Sequence, residues 1–228
     1  MELSLGRSAA KHQSLWLVAG LALGFAIPSI FTGILLLPRD IFLVAYVVPV
    51  SIFLYAYTRS NNVSLAAMLR HKLVWGLLAT IPISFYAVQA VLLQPASAPP
   101  RGLELAIDIV WSGIVYGGLD GIFLSVFPVF AIWQVMKIRG WTDSGLKKKA
   151  IAGAIALVTS LLMIAVYHVG YPEFRGPQVI VVVLGVGVMS LAYIVTGNPT
   201  VAIISHVVMH IAAVLHGAES VSQLPPHY

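Results

Sequence analysis

Leu105-Ala-Ile-Asp108-Ile-Val-Trp-Ser-Gly113-Ile-Val-Tyr116-Gly117-Gly118-Leu119-Asp120-Gly121-Ile-Phe-Leu124-Ser-Val-Phe-Pro128-Val-Phe-Ala-Ile-Trp-Gln-Val-Met136 is an apolar run of 32 residues. One helix needs about 20 residues to cross the hydrocarbon core of a bilayer. The run is therefore either one long helix or two short ones, and that choice sets the topology of the whole chain. Six further stretches are apolar enough to cross: residues 15–37, 41–57, 73–93, 150–168, 179–195 and 199–217. Turn-forming segments separate them, namely Pro38-Arg-Asp, Ser60-Asn-Asn, Gln94 to Gly102, and Thr196-Gly-Asn-Pro199.

Charge decides the long run. A single helix gives seven spans, with Arg7, Lys11, Arg59, Arg70, Lys72, Lys137, Arg139, Lys147, Lys148 and Lys149 on the side of the N-terminus. Arg39, Arg101 and Arg175 fall on the other side. Ten against three is the bias expected when the N-terminus is cytoplasmic. Two helices would reverse it. One helix follows, bent near Pro128 or the glycine cluster.

Composition agrees. Of 228 residues, 59% are hydrophobic and only 9% charged, where soluble domains carry about a quarter charged residues. The expected fold is an all-α, polytopic membrane helix bundle, one domain over residues 1–228. The N-terminal run continues to Leu37 without a small-residue cleavage site, so it reads as a first span rather than a signal peptide. There is no cysteine, which excludes disulfides, thiolate metal sites and a cysteine nucleophile. The net charge of +5 does not imply nucleic acid, because the basic residues sit in short segments beside apolar runs. The lipid bilayer is the partner they imply. Residues 63–72 suit a short interfacial helix, and Trp16, Trp75, Trp133 and Trp141 suit aromatic belts.

One aspartate and three histidines stand out at membrane depth. Asp120 is at the centre of the long run, where a carboxylate costs roughly 2.5–3.5 kcal/mol to insert. Gly113, Gly117 and Gly121, spaced by four, let another backbone come close. Tyr116, one turn before Asp120, is placed to reach its carboxylate. His168 ends the fifth span, and His206 and His210 project from one face of the seventh. Polar groups at this depth face a bundle interior, a cavity or a reaction site. By helical rise, His168 lies nearer the outer level than Asp120, a mismatch approaching about 10 Å. Glu104, Asp108 and His216 form a second, weaker grouping at that outer end.

The order of these elements resembles the CPBP family, the CAAX-prenyl-protease and bacteriocin-processing (Abi) proteins. That family has Glu-Glu-x-x-x-Arg in one helix, then Phe-x-x-x-His, then His-x-x-x-Asn. Here the resemblance covers residues 105–217. Leu119-Asp120 stands for Glu-Glu, Leu124 for Arg, Ile164 for Phe and His210 for Asn, with His168 and His206 retained. The polar turn from Thr196 into the last helix also follows the family. The resemblance implies an intramembrane endopeptidase acting on a hydrophobic or prenylated peptide. Asp120 and His168 would activate a water, and His206 and His210 would stabilise the oxyanion. The same four residues also have the composition of a divalent metal site, such as one for zinc.

Two other function classes stand beside the protease. One is a non-catalytic membrane scaffold or immunity protein. The other is a transporter or a haem protein built on the histidines. A rhodopsin-like reading fails, because the last span has no lysine for a Schiff base. The expected location is a prokaryotic plasma membrane. Because the chain lacks cysteine, Leu146→Cys introduces a unique thiol in the Lys137–Lys149 segment. A membrane-impermeant maleimide is expected to label it only from the cytoplasmic face. Labelling from the outer face alone would reverse the topology.

Overall fold

The computed structural model describes residues 2–141, 145–217 and 222–225, with side chains from Ala10 onward. The side chain of Arg7 lies outside the described residues. Every described element is helical or turn. The long helices are α1 (Glu2–Phe31), α2 (Arg39–Ser60), α4 (Leu73–Leu92), α5 (Gly102–Ile138), α6 (Leu146–Val169), α7 (Gln178–Thr196) and α8 (Thr200–Gly217). The short α3 (Leu65–Arg70) links α2 to α4. All seven long helices are apolar and long enough to span a membrane. The protein is an integral, multi-pass membrane protein.

The 32-residue run is one helix, α5, and it forms the axis of the bundle. In its span 67% of the most apolar window is buried, and in α8 56%, whereas α1, α4 and α7 stay at or below 28%. Leu, Ile and Val side chains cover the outside of the peripheral helices and suit lipid contact. The first span differs from the expected residues 15–37. Its helix starts earlier and stops at Phe31, where Thr32 donates its hydroxyl to the Pro28 carbonyl at 2.6 Å. Residues 34–37 then turn toward Pro38, with Leu36 in a left-handed conformation (φ 48°).

Near the glycine cluster, α5 carries two π-helical stretches, Ile109–Tyr116 and Gly121–Val126, on either side of Gly117–Asp120. Pro128 is one local cause. It has no N–H for the Leu124 carbonyl four residues back. That carbonyl instead accepts the Ser160 hydroxyl from α6 at 2.9 Å, and Ser160 pairs with Ser190 of α7 at 2.7 Å. The substitute bonds are buried, so the freed carbonyl is not left unpaired inside the bundle.

Helix α8 runs parallel to α4 and antiparallel to α5. Ser84 and Ser205 meet at 3.2 Å between the first pair. At the entry to α8, Gly197 takes a left-handed turn (φ 70°) and Asn198 becomes fully buried. Its amide nitrogen donates to the carbonyls of Leu69 (2.8 Å) and His71 (2.6 Å) in the α3–α4 connection. Its carbonyl oxygen accepts from the Thr200 backbone N–H (2.9 Å) and the Thr200 hydroxyl. One side chain thus opens α8 and ties it to the start of α4.

Asn198→Ala is expected to remove all these bonds and cost about 2 kcal/mol or more, from a lost helix-start acceptor and two carbonyls left unpaired. Asn198→Asp keeps the acceptor but sets a carboxylate oxygen against two carbonyls, so it too is expected to destabilise. Thermal unfolding in detergent measures both. An unchanged midpoint for both variants would refute this role.

Candidate functional site

The glycine ridge of α5 brings the histidines of α8 onto Asp120. A side chain carbon built on Gly117 would lie 2.9 Å from the Cβ and Cδ2 of His210, and one on Gly121 3.0 Å from the Cβ and Cγ of His206. One on Gly113 would meet Ile211 at 2.7 Å. Only glycine permits this packing. It lays His210 against the carboxylate, with Nε2 3.7 Å from Asp120 Oδ2. Asp120 and His210 are buried, as is His206, whose ring lies 6.5 Å from that of His210 at 18°.

The other carboxylate oxygen is held by Tyr46, from α2. Its hydroxyl donates to Asp120 Oδ1 at 3.0 Å. The sequence reading expected Tyr116 in that place. Tyr116 turns away instead, its hydroxyl 2.8 Å from that of Tyr167, which is 2.6 Å from that of Tyr171. Tyr171 lies just past the end of α6, and burial raises its phenol well above the ordinary value, so it keeps its proton. The edge of the Tyr116 ring also packs on His210, at a centroid distance of 5.0 Å.

Asp120, His168 and His210 line one cavity of about 390 Å³ between α4, α5, α6, α7 and α8. Whatever their difference in depth, His168 and Asp120 face the same space. His206 does not line the cavity and lies behind His210. His168 and His206 are fixed alike: Nδ1–H donates to the carbonyl four residues back, Ile164 at 2.8 Å and Ala202 at 2.9 Å. In a neutral ring that leaves Nε2 with a free lone pair.

Three ring nitrogens are buried without a hydrogen bond: Nε2 of His206 and both nitrogens of His210. Buried polar groups in native proteins are nearly always paired, and exceptions concentrate where chemistry occurs. The donor set was also compared with a metal site. Among the described residues no three His, Asp or Glu side chains converge closely enough to hold an ion. The four residues do not fit a tetrahedral centre.

At the end of the bundle where α8 stops, the mouth of the cavity is covered by residues Ser222 to Pro225. Gln94 holds them, donating to the side-chain oxygen of Gln223 at 2.8 Å and accepting from the backbone and hydroxyl of Ser222. The buried Arg39 donates Nε–H to the Pro225 carbonyl at 2.6 Å. His216 is used here as well, bonded to the Gln94 carbonyl at 2.8 Å rather than grouped with Glu104 and Asp108. Those two carboxylates line a separate outer cavity of about 870 Å³, with Arg39 and Asp40. Tyr46, Gln94 and the returning segment escaped the sequence reading. Only Tyr46 carried a signal, as a hydroxyl in the middle of an apolar span.

Residues 120–212 match the family model described as type II CAAX prenyl endopeptidase Rce1-like. The match starts at Asp120 and contains His168, His206 and His210, so it covers the segment that builds the site. It bears out the CPBP resemblance, and the family is one of membrane proteases. No curated protein and no solved structure matches the chain.

Tyr46→Phe removes the one hydrogen bond given to Asp120 Oδ1. It is expected to destabilise the protein by about 1–3 kcal/mol, the cost of an unsatisfied buried acceptor. Tyr116→Phe leaves the carboxylate untouched and is expected to cost less. Unfolding midpoints in detergent rank the two. Equal midpoints would show that Tyr46 does not hold Asp120.

Proposed function

We propose that this Rce1-like chain is an intramembrane endopeptidase whose reacting centre is Asp120, His168 and His210. The observation that carries this reading is the unpartnered imidazole of His210, buried beside a carboxylate on the wall of a cavity inside the bundle. A structural histidine at this depth would be expected to find a partner. This one makes no hydrogen bond, its Nε2 lying 3.7 Å from Asp120 Oδ2, and it faces space that a substrate can fill.

In this reading Asp120 and the Nε2 lone pair of His168 hold a water in the cavity. His168 takes its proton as the water oxygen bonds to the scissile carbonyl carbon. It returns the proton to the amide nitrogen as the C–N bond breaks and the carboxyl and amine products leave. A carboxylate and an imidazole suit this general-base work. Between the two steps the tetrahedral oxygen receives a hydrogen bond from His210, whose ring is free to donate. His210 thus does what the family assigns to asparagine. Tyr46 fixes the orientation of the carboxylate, so that Oδ2 is the oxygen left for chemistry. His206, behind His210, keeps that face of α8 polar and in register, acting through its neighbour.

Leu119 and Leu124 fit the same picture. Leu124 is fully buried and Leu119 packs against the core. In the family pattern a glutamate and an arginine occupy these places. Removing one partner of a buried ion pair is costly, whereas replacing both by apolar residues is nearly neutral. The change therefore reads as a coordinated loss that leaves Asp120 as the working carboxylate.

The test is peptide cleavage by the full chain in liposomes, with matched prenylated and unprenylated C-terminal peptides. Asp120→Asn, His168→Ala and His210→Ala are each expected to lower the cleavage rate by about 10²–10⁴-fold, as loss of an acid–base or oxyanion group does. Unfolding midpoints measured alongside separate lost chemistry from lost packing, because His168→Ala and His210→Ala also empty buried volume. Cleavage insensitive to all three would overturn the assignment. No cleavage of either peptide would return the chain to the scaffold reading.

A further inference from the structure

A second cavity, of about 600 Å³, opens at the end of the bundle where α4 and α8 begin. It shares no lining residue with the cavity of Asp120, His168 and His210 and uses different chemistry. Its described lining contains Lys72, Lys149 and His71, with Asn61, Asn62, Ser64 and Gln134 as neutral donors, and no carboxylate. Trp133 and Tyr193 form apolar walls, Tyr193 being buried at 3% exposure. The outer cavity at the opposite end holds three carboxylates, Asp40, Glu104 and Asp108, against one arginine. The two ends of the bundle therefore offer opposite charge.

The cavity joins two exposed lysines on a shaped surface. Its two lysines come from different elements, the α3–α4 connection and α6, and converge on one space. Among the described residues neither lysine makes an ion pair. Lys72 holds a left-handed backbone (φ 52°), rare for a residue with a side chain. The connection that carries it is tied down by the bonds from Asn198 to Leu69 and His71. Gly197, in a left-handed turn (φ 70°), lines the same space beside the Lys72 ammonium group.

We propose that this cavity binds a phosphate-bearing anion, with Lys72 and Lys149 neutralising the phosphate and Asn61, Asn62 and Ser64 supplying neutral donors. Basic pockets between helices at a membrane surface suit anionic headgroups. Inorganic phosphate shares that chemistry, and the experiment separates the two sources. The site is independent of the reacting centre and stands whether or not peptides are cleaved.

The test uses the delipidated full chain in neutral detergent, titrated with phosphatidylglycerol, phosphatidylcholine or inorganic phosphate. Native mass spectrometry counts bound lipid, and thermal unfolding follows stabilisation. Phosphatidylglycerol is expected to bind and raise the midpoint, while phosphatidylcholine does neither. Lys72→Gln with Lys149→Gln is expected to weaken binding about thirtyfold, the loss of two lysine charges near a membrane surface. Lys147→Gln, in the same basic run but outside the cavity, should leave it unchanged. Lys149→Gln alone, on the exposed start of α6, keeps the proposal testable if the double variant does not fold; its expected loss is about fivefold. Stabilisation by inorganic phosphate with the same lysine dependence assigns the site to free phosphate. Equal binding of the two lipids, or full phosphatidylglycerol binding by the lysine variants, would overturn the proposal.

Discussion

The centre of this bundle depends on how closely α8 can approach α5, and that approach rests on three missing side chains. Helices in lipid gain little from hydrophobic exclusion, so their association is driven by packing and internal hydrogen bonds. Gly113, Gly117 and Gly121 give α5 a smooth ridge at the level of Asp120. The imidazoles of His206 and His210 occupy the space that side chains would have filled. The ridge thus does two things at once. It maximises contact between two helices, and it places nitrogen atoms beside a carboxylate that would otherwise be isolated in apolar surroundings.

An aspartate at this depth is tolerable only if its oxygens are answered. Tyr46 answers one from outside the family-matched segment, and His210 stands near the other. Around them the hydroxyls of Tyr116, Tyr167 and Tyr171 satisfy one another in a chain that crosses from α5 to the end of α6. Aromatic bodies with polar tips suit such a place, since each ring contributes apolar packing and each hydroxyl needs only a short reach to a partner. The result is a polar interior assembled almost wholly from neutral groups.

Much of this was legible in the sequence for a plain reason. Span length, the charge balance and the spacing of glycines against histidines are local or one-dimensional quantities, and they gave seven spans, the single long α5 and the clustering of Asp120 with α8. The less legible features depend on three-dimensional neighbours. Tyr46 and Tyr116 are both phenols near the right depth, and only the relative rotation of α2 and α5 decides which one meets Asp120. His168 and Asp120 belong to different helices, and that both line one cavity depends on how those helices pack. The Ser222–Pro225 segment carries no periodic signal at all, because a few hydrogen bonds to Gln94 and Arg39 hold it.

The buried Asn198 has a mechanical consequence. A helix is stiff along its axis, so fixing one end fixes the depth of every residue on it. Asn198 is joined to the α3–α4 connection, and His206 and His210 follow it by eight and twelve residues, about 12 and 18 Å of helical rise. The depth of the imidazoles within the bundle is therefore gauged from its basic end. The connection between α3 and α4 acts as the datum, and α8 as the ruler laid from it.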